Sequence, residues 1–156
     1  MRRVLWISAL VLLLDQLSKR AVVEWLDLKT VGLIEVLPPY LNFHMAWNRG
    51  VNFGLFANDA AVMRWALVGL AVVIALWLLN WGRSMNNRLG QTFAGLVIGG
   101  AMGNALDRLM YGAVADFLNM SCCGLDNPFA FNIADVSIFL GAFGLVLISN
   151  KLDKKG

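Results

Sequence analysis

Apolar residues run along this chain in long blocks separated by short polar segments, and four of the blocks match a membrane-crossing helix in length. A hydrocarbon core of about 30 Å takes about 20 mostly apolar residues in helical form. Val4–Glu24, Ala61–Trp81, Leu89–Leu109 and Ile133–Lys151 meet that requirement. Trp6 and Trp25 bracket the first block and Trp65 and Trp81 the second, positions that suit interfacial anchors. Arg2-Arg3 ahead of Val4–Leu14 has the outline of a secretory signal. The run is followed by Asp15-Gln16-Leu17-Ser18-Lys19 rather than a small-residue cleavage site, so it reads as a retained first span. Between spans one and two the period changes. Leu41, Phe43, Met45 and Trp47 alternate with Asn42, His44, Ala46 and Asn48, the signature of a half-buried strand. Val31–Leu37 is its expected partner, Pro38-Pro39 the break between them, and Asn48-Arg49-Gly50 a turn. The pattern predicts an integral membrane, mainly α protein. Four transmembrane helices carry a small extracytoplasmic β-sheet between helices one and two, in a single domain over residues 1–156 with its outer β-region at about 28–58.

Composition agrees with a lipid solvent. Hydrophobic residues make up 59% of the 156 and charged residues 15%, against about a quarter charged in soluble domains; mean hydropathy is +0.66. The net charge of +3 comes from scattered basic residues, which argues against nucleic acid as a partner and for membrane orientation. Arg2, Arg3, Arg83, Arg88, Lys151, Lys154 and Lys155 all fall in segments that share one side if the chain crosses four times. The positive-inside rule makes that side cytoplasmic. The outer segments then carry few and mixed charges, among them Lys29, Glu35, Arg49 and Asp59 in one and Asp116 and Asp126 in the other. The adjacent Cys122 and Cys123 fit neither a zinc spacing nor a disulfide framework, and a single histidine, His44, leaves little scope for Ser-His chemistry.

Ionisable residues within membrane spans are costly and mark candidate sites. Asp15 and Lys19 share a face at i, i+4; they are either an ion pair that holds helices together or a device that orients a site. Gly95, Gly99 and Gly103 form a small-residue stripe that lets another helix approach. Gly100, Asn104 and Arg108 form a second stripe, with Asp107 one position off it. Asn104 fits an interhelical hydrogen bond or a site, and Arg108 fits snorkelling to headgroups or a charged cluster with Asp107 and Asp116. Asp135 alone fits an acidic residue at a helix N-terminus. The four-span topology brings it to the membrane face that Asp116 occupies, with fewer than twenty residues between them. Two carboxylates at one apolar interface resist joint ionisation and share a proton, the arrangement of aspartic proteases.

These residues also carry a family resemblance. Gly103-Asn104-Ala105-Leu106-Asp107-Arg108, Val114-Ala115-Asp116-Phe117 and Phe131-Asn132-Ile133-Ala134-Asp135 resemble the signature blocks of the lipoprotein signal peptidase (signal peptidase II) family. Asp15–Lys19 and Asn48-Arg49-Gly50-Val51-Asn52-Phe53-Gly54 resemble two further blocks, in family order. Ala115 stands where the family often has valine, Asn52 where a small residue is common, and Leu118–Ala130 matches no family block. The resemblance implies an aspartic endopeptidase of the bacterial cytoplasmic (inner) membrane. Its partners would be lipid and diacylglyceryl-modified lipoprotein precursors, cut just before the lipidated cysteine. Asp116 and Asp135 would be catalytic, with Asp15, Asn48, Asn104, Arg108 and Asn132 supporting the dyad or binding substrate. No metal ligand, no cofactor and no oligomer is implied. Two other classes compete. A serine or zinc intramembrane protease lacks its Gly-x-Ser-x-Gly or His-Glu-x-x-His motif. A four-span channel, transporter or scaffold would explain buried polar groups without two aspartates at one face, but spans two and four offer no polar path.

Overall fold

A computed structural model of the chain describes residues 1–50, 60–122, 124 and 127–152. Val51, Asn52, Phe53 and Gly54 of the second family block lie outside those residues, as do Asp59, Cys123, Asp126, Lys154 and Lys155. The described residues form four long helices, one short helix and a three-stranded sheet: α1 (Arg2–Lys19), α2 (Leu28–Val31), β1 (Leu33–Leu37), β2 (Leu41–Asn48), α3 (Ala60–Ser84), α4 (Arg88–Tyr111), β3 (Val114–Met120) and α5 (Ile133–Leu152). A π-helical turn over Arg20–Trp25 prolongs α1. Among the described residues, Ala61–Ser84 alone is long and apolar enough by composition to cross a membrane, and Ile133–Ser149 is a shorter apolar stretch. The other two long helices carry buried polar groups, which lower their hydropathy.

Helix α4 is the centre of the bundle and packs against α1, α3 and α5. Its glycines make this possible. A Cβ on Gly99 would lie 2.6 Å from the Ser8 carbonyl oxygen and 2.7 Å from Val11 Cβ, and one on Gly95 would lie 2.7 Å from Ile7 Cβ. The stripe therefore faces α1, which runs parallel to α4, while Gly100 faces Ala134 and Ile138 of the antiparallel α5. Val4, Ala75, Leu78, Val97 and Ile98 fill the core at the end of the bundle where α1 begins. The outward faces are apolar instead. Leu70, Val73, Leu76 and Trp77 of α3 and Phe139, Phe143, Val146 and Leu147 of α5 are exposed, as expected of helices solvated by hydrocarbon.

The sheet has the order β1-β2-β3, antiparallel throughout. Two details differ from the sequence-based expectation. Val31 closes a short helical turn that ends at Gly32 with φ +81°, so β1 starts at Leu33. The sheet also gains a third strand from the α4–α5 connection, and that strand carries Asp116. The apolar side of the sheet turns toward the protein. Phe43 and Met45 of β2 and Phe117 of β3 pack on Val22, Val23 and Leu28. Phe43 and Phe117 meet edge to face at 5.8 Å.

Candidate active site

All the candidate residues lie where α1 and α4 end, α5 begins and the sheet sits. The chain converges there because β3 is paired on both sides. Ala46 of β2 opposes Asp116, and Phe131 bridges to Leu118, with Leu118 N–H donating to Phe131 O at 2.8 Å and Phe131 N–H to Leu118 O at 2.9 Å. That second pairing draws the residues just before α5 alongside those just after Asp116. Asn132 then caps α5. Its Oδ1 accepts the Asp135 N–H at 2.8 Å while Asp135 Oδ2 accepts the Asn132 N–H at 3.3 Å, a reciprocal capping box.

Asn132 also joins the two carboxylates. Its Nδ2 donates to Asp116 Oδ1 at 2.6 Å, so one fully buried asparagine binds Asp116 through its side chain and Asp135 through its backbone and Oδ1. Asn104 supports the other side of Asp135, with Nδ2 donating to Asp135 Oδ1 at 2.8 Å; its own Oδ1 accepts from Asn132 Nδ2 at 3.2 Å. Asn48, at the end of β2, lies near enough to Asp116 for its side-chain amide to favour the ionised carboxylate. Its Oδ1 also accepts the Gly50 N–H at 3.0 Å, and Gly50 takes φ +99°, which makes Asn48-Arg49-Gly50 a turn. Asp116 is only 3% exposed. Burial, followed by the charge on Asp135, pushes its carboxyl up from 3.8 to about 6. The coupling makes Asp116 and Asp135 electrostatic neighbours.

Asp15 lies one layer below. Its Oδ1 accepts the Ala134 N–H at 2.9 Å and its Oδ2 pairs with Lys19 Nζ at 2.8 Å, so it makes the ion pair within α1 and also holds the backbone one residue before Asp135. Arg108 turns inward. It donates from Nη1 to Asn104 O at 3.2 Å within its own helix, and its charge attracts Asp116, Asp135 and Asp107. Its buried Nε has no hydrogen-bond partner among the described residues.

Asp107 stands one position off the polar stripe of Gly100, Asn104 and Arg108 in the sequence. The structure buries it completely, in contact with Lys19 Nζ at 2.7 Å, Gln16 Nε2 at 2.9 Å and the Ala115 N–H at 3.1 Å. The available signal was the glycine stripe itself. Asp107 is its next i+4 position after Gly95, Gly99 and Gly103, so it must face α1 as they do. Among the described residues no group of His, Cys, Asp and Glu could hold a metal ion.

The chain is similar to known proteins over nearly its whole length. The family model described as Signal peptidase (SPase) II matches residues 7–151. A lipoprotein signal peptidase of Methylobacterium radiotolerans is 41% identical over 140 residues, covering 90% of this chain and 81% of that protein. One of Aeromonas hydrophila subsp. hydrophila is 38% identical over 157 residues, covering 98% and 91%. A bacterial membrane enzyme solved by the in meso method at 1.9 Å resolution superposes with a TM-score of 0.78 at 26% identity, covering 97% of this chain and 94% of that one. Another solved by the same method, at 2.3 Å, shares the fold with a TM-score of 0.75 at 24% identity, covering 100% and 93%.

Proposed function

Since this chain belongs to the signal peptidase II family, which removes signal peptides from lipoprotein precursors, we propose that it does so as an aspartic endopeptidase with Asp116 and Asp135 as the catalytic pair. The observation that carries this reading is the asparagine bridge. Asn132 binds Asp116 and Asp135 at once, and burial together with Asp135 pushes the Asp116 carboxyl to about 6. In this reading Asp116 is the partner that carries a proton in the resting enzyme. Asp135 receives N–H donors from Asn104 and Asn132 and sits in the first turn of α5, surroundings that favour negative charge.

In the proposed reaction Asp135 removes a proton from a water as its oxygen adds to the scissile carbonyl carbon. Asp116 gives its proton to the carbonyl oxygen, and the resulting tetrahedral centre expels the amine as the C–N bond breaks. Asp135 returns its proton to that nitrogen, and Asp116 recovers its own as the carbonyl re-forms. Arg108, with its buried Nε left without a partner among the described residues, is suited to hold a backbone carbonyl of the substrate. Asn104 steadies Asp135 instead.

The four long helices cross the membrane in this reading. Arg2, Arg3, Arg83 and Arg88 lie at the cytoplasmic end of the bundle, and the sheet and aspartates at the extracytoplasmic end. The exposed apolar faces of α3 and α5 support it. A cavity of about 280 Å³ beside the dyad, lined by Phe131, Asp135, Val136, Phe139 and Leu140, suits an acyl chain of a diacylglyceryl-modified precursor. Its wall is nearly all hydrocarbon. The test is incubation of purified protein with one precursor in diacylglyceryl-modified and unmodified forms, reading the cut by mass spectrometry. Cleavage just before the lipidated cysteine, and only in the modified form, is expected. Equal cleavage of both forms would reject recognition through the lipid.

A further inference from the structure

Two buried carboxylates beneath the dyad do matching jobs. Asp15 accepts the N–H of Ala134, the residue before Asp135, at 2.9 Å, and Asp107 accepts the N–H of Ala115, the residue before Asp116, at 3.1 Å. Each therefore fixes the peptide unit that leads into one aspartate of the pair. A single cation joins them. Lys19 Nζ lies 2.8 Å from Asp15 Oδ2 and 2.7 Å from Asp107 Oδ2, and 3.4 Å from Asn104 Oδ1, whose Nδ2 holds Asp135. Gln16 Nε2 repeats the link, 3.1 Å from Asp15 Oδ2 and 2.9 Å from Asp107 Oδ1. Asp15 and Asp107 are fully buried and Lys19 is 4% exposed.

We propose that Lys19 is a positioning residue: through Asp15 and Asp107 it sets the separation of Asp116 and Asp135. The inference rests on the reading of Asp116 and Asp135 as the catalytic pair. Lys19 contributes no atom to the reaction. Its ammonium draws together two carboxylates that otherwise repel each other, and the two peptide units follow because each is hydrogen-bonded to one of them. The strut begins on α1 and reaches the strand carrying Asp116 through α4, and the start of α5 directly. All four elements are therefore tied through one atom. A neutral side chain of similar length at position 19 leaves two facing buried carboxylates, which relax by moving apart or by sharing a proton. Either change alters the geometry of the dyad while leaving the lipid-facing surface intact.

The experiment is steady-state cleavage of a diacylglyceryl-modified precursor by full-length protein in lipid, with Lys19→Met beside wild type and with folding followed by thermal melting. We expect kcat to fall about 100-fold, the cost of a misplacement of about 1 Å at a reacting centre, with KM within about threefold of wild type. A purely architectural lysine would not produce that split. A second variant separates geometry from charge balance. Asp15→Asn, Lys19→Met and Asp107→Asn combined make the trio neutral and keep an oxygen for each alanine N–H. We expect it to melt near wild type yet keep the low kcat. Wild-type kcat in either folded variant overturns the inference. Asp116→Asn and Asp135→Asn in the same assay separate the two ideas. If folded protein lacking either carboxyl still cuts, the dyad reading fails. If both are inactive while Lys19→Met turns over normally, only the strut fails.

Discussion

Asp116 should destabilise the protein that carries it. Its carboxyl, raised in the folded state from 3.8 to about 6 by burial and by the charge on Asp135, binds a proton over a pH range where the unfolded chain has released it. Because the folded value is the higher one, the contribution to stability is fully present below about pH 4 and is lost as pH rises through about 6. Above that the ionised group carries a constant penalty. At about 1.4 kcal/mol for each tenfold change in proton affinity, the rise is equivalent to about 3 kcal/mol. Asp116→Asn keeps the shape and an acceptor for Asn132 Nδ2, and removes the charge. We therefore expect the variant to be more stable than wild type by about 1–3 kcal/mol at pH 8, roughly 3–10 °C in melting temperature for a chain of this size. The advantage should shrink to nothing near pH 4. Thermal melting in one detergent across pH 4–8 measures it. A gain that does not vary with pH would refute the electrostatic argument, as would a variant less stable than wild type at pH 8.

Other expectations follow from the same contacts. Asp135→Asn removes the second cause of the raised Asp116 carboxyl, so infrared titration should find it titrating below about 6 while burial keeps it above 3.8. Gly99→Ala places a methyl 2.6 Å from the Ser8 carbonyl oxygen and should cost about 1–3 kcal/mol by melting. Gly69→Ala, with nothing within 4 Å of its new methyl, should cost nothing. Asn132→Ala loses the α5 cap and the donor to Asp116, so stability should drop by about 1–2 kcal/mol and turnover should fall.

The long helices and β2 were legible because each has a pattern with one cause. Apolar blocks of about 20 residues fold as the long helices, and the alternation over Leu41–Asn48 folds as strand β2. Strand β3 gave no such signal. Val114, Ala115, Asp116 and Phe117 are all buried, whichever face of the strand they occupy, so alternation vanishes where the structure depends on it most. The pairing of Asp116 with Asn132 was visible only as nearness of two family blocks, since it depends on the bridge between Leu118 and Phe131. Leu118 lies in the stretch Leu118–Ala130, which matches no family block, and Phe131 opens the block that follows it. Asp107 was hidden for a simpler reason. Its place follows from extending the glycine stripe by one step, but an aspartate does not suggest itself as the continuation of a row of glycines.

Cleavage of a purified diacylglyceryl-modified precursor, followed under single-turnover conditions with excess enzyme, tests the central claim most directly. Wild type runs beside Asp116→Asn and Asp135→Asn, each with its fold checked by melting. The account predicts that wild type releases the signal peptide with its new end just before the lipidated cysteine, and that both folded variants release none. A folded variant of either aspartate that cuts at close to the wild-type rate would contradict it.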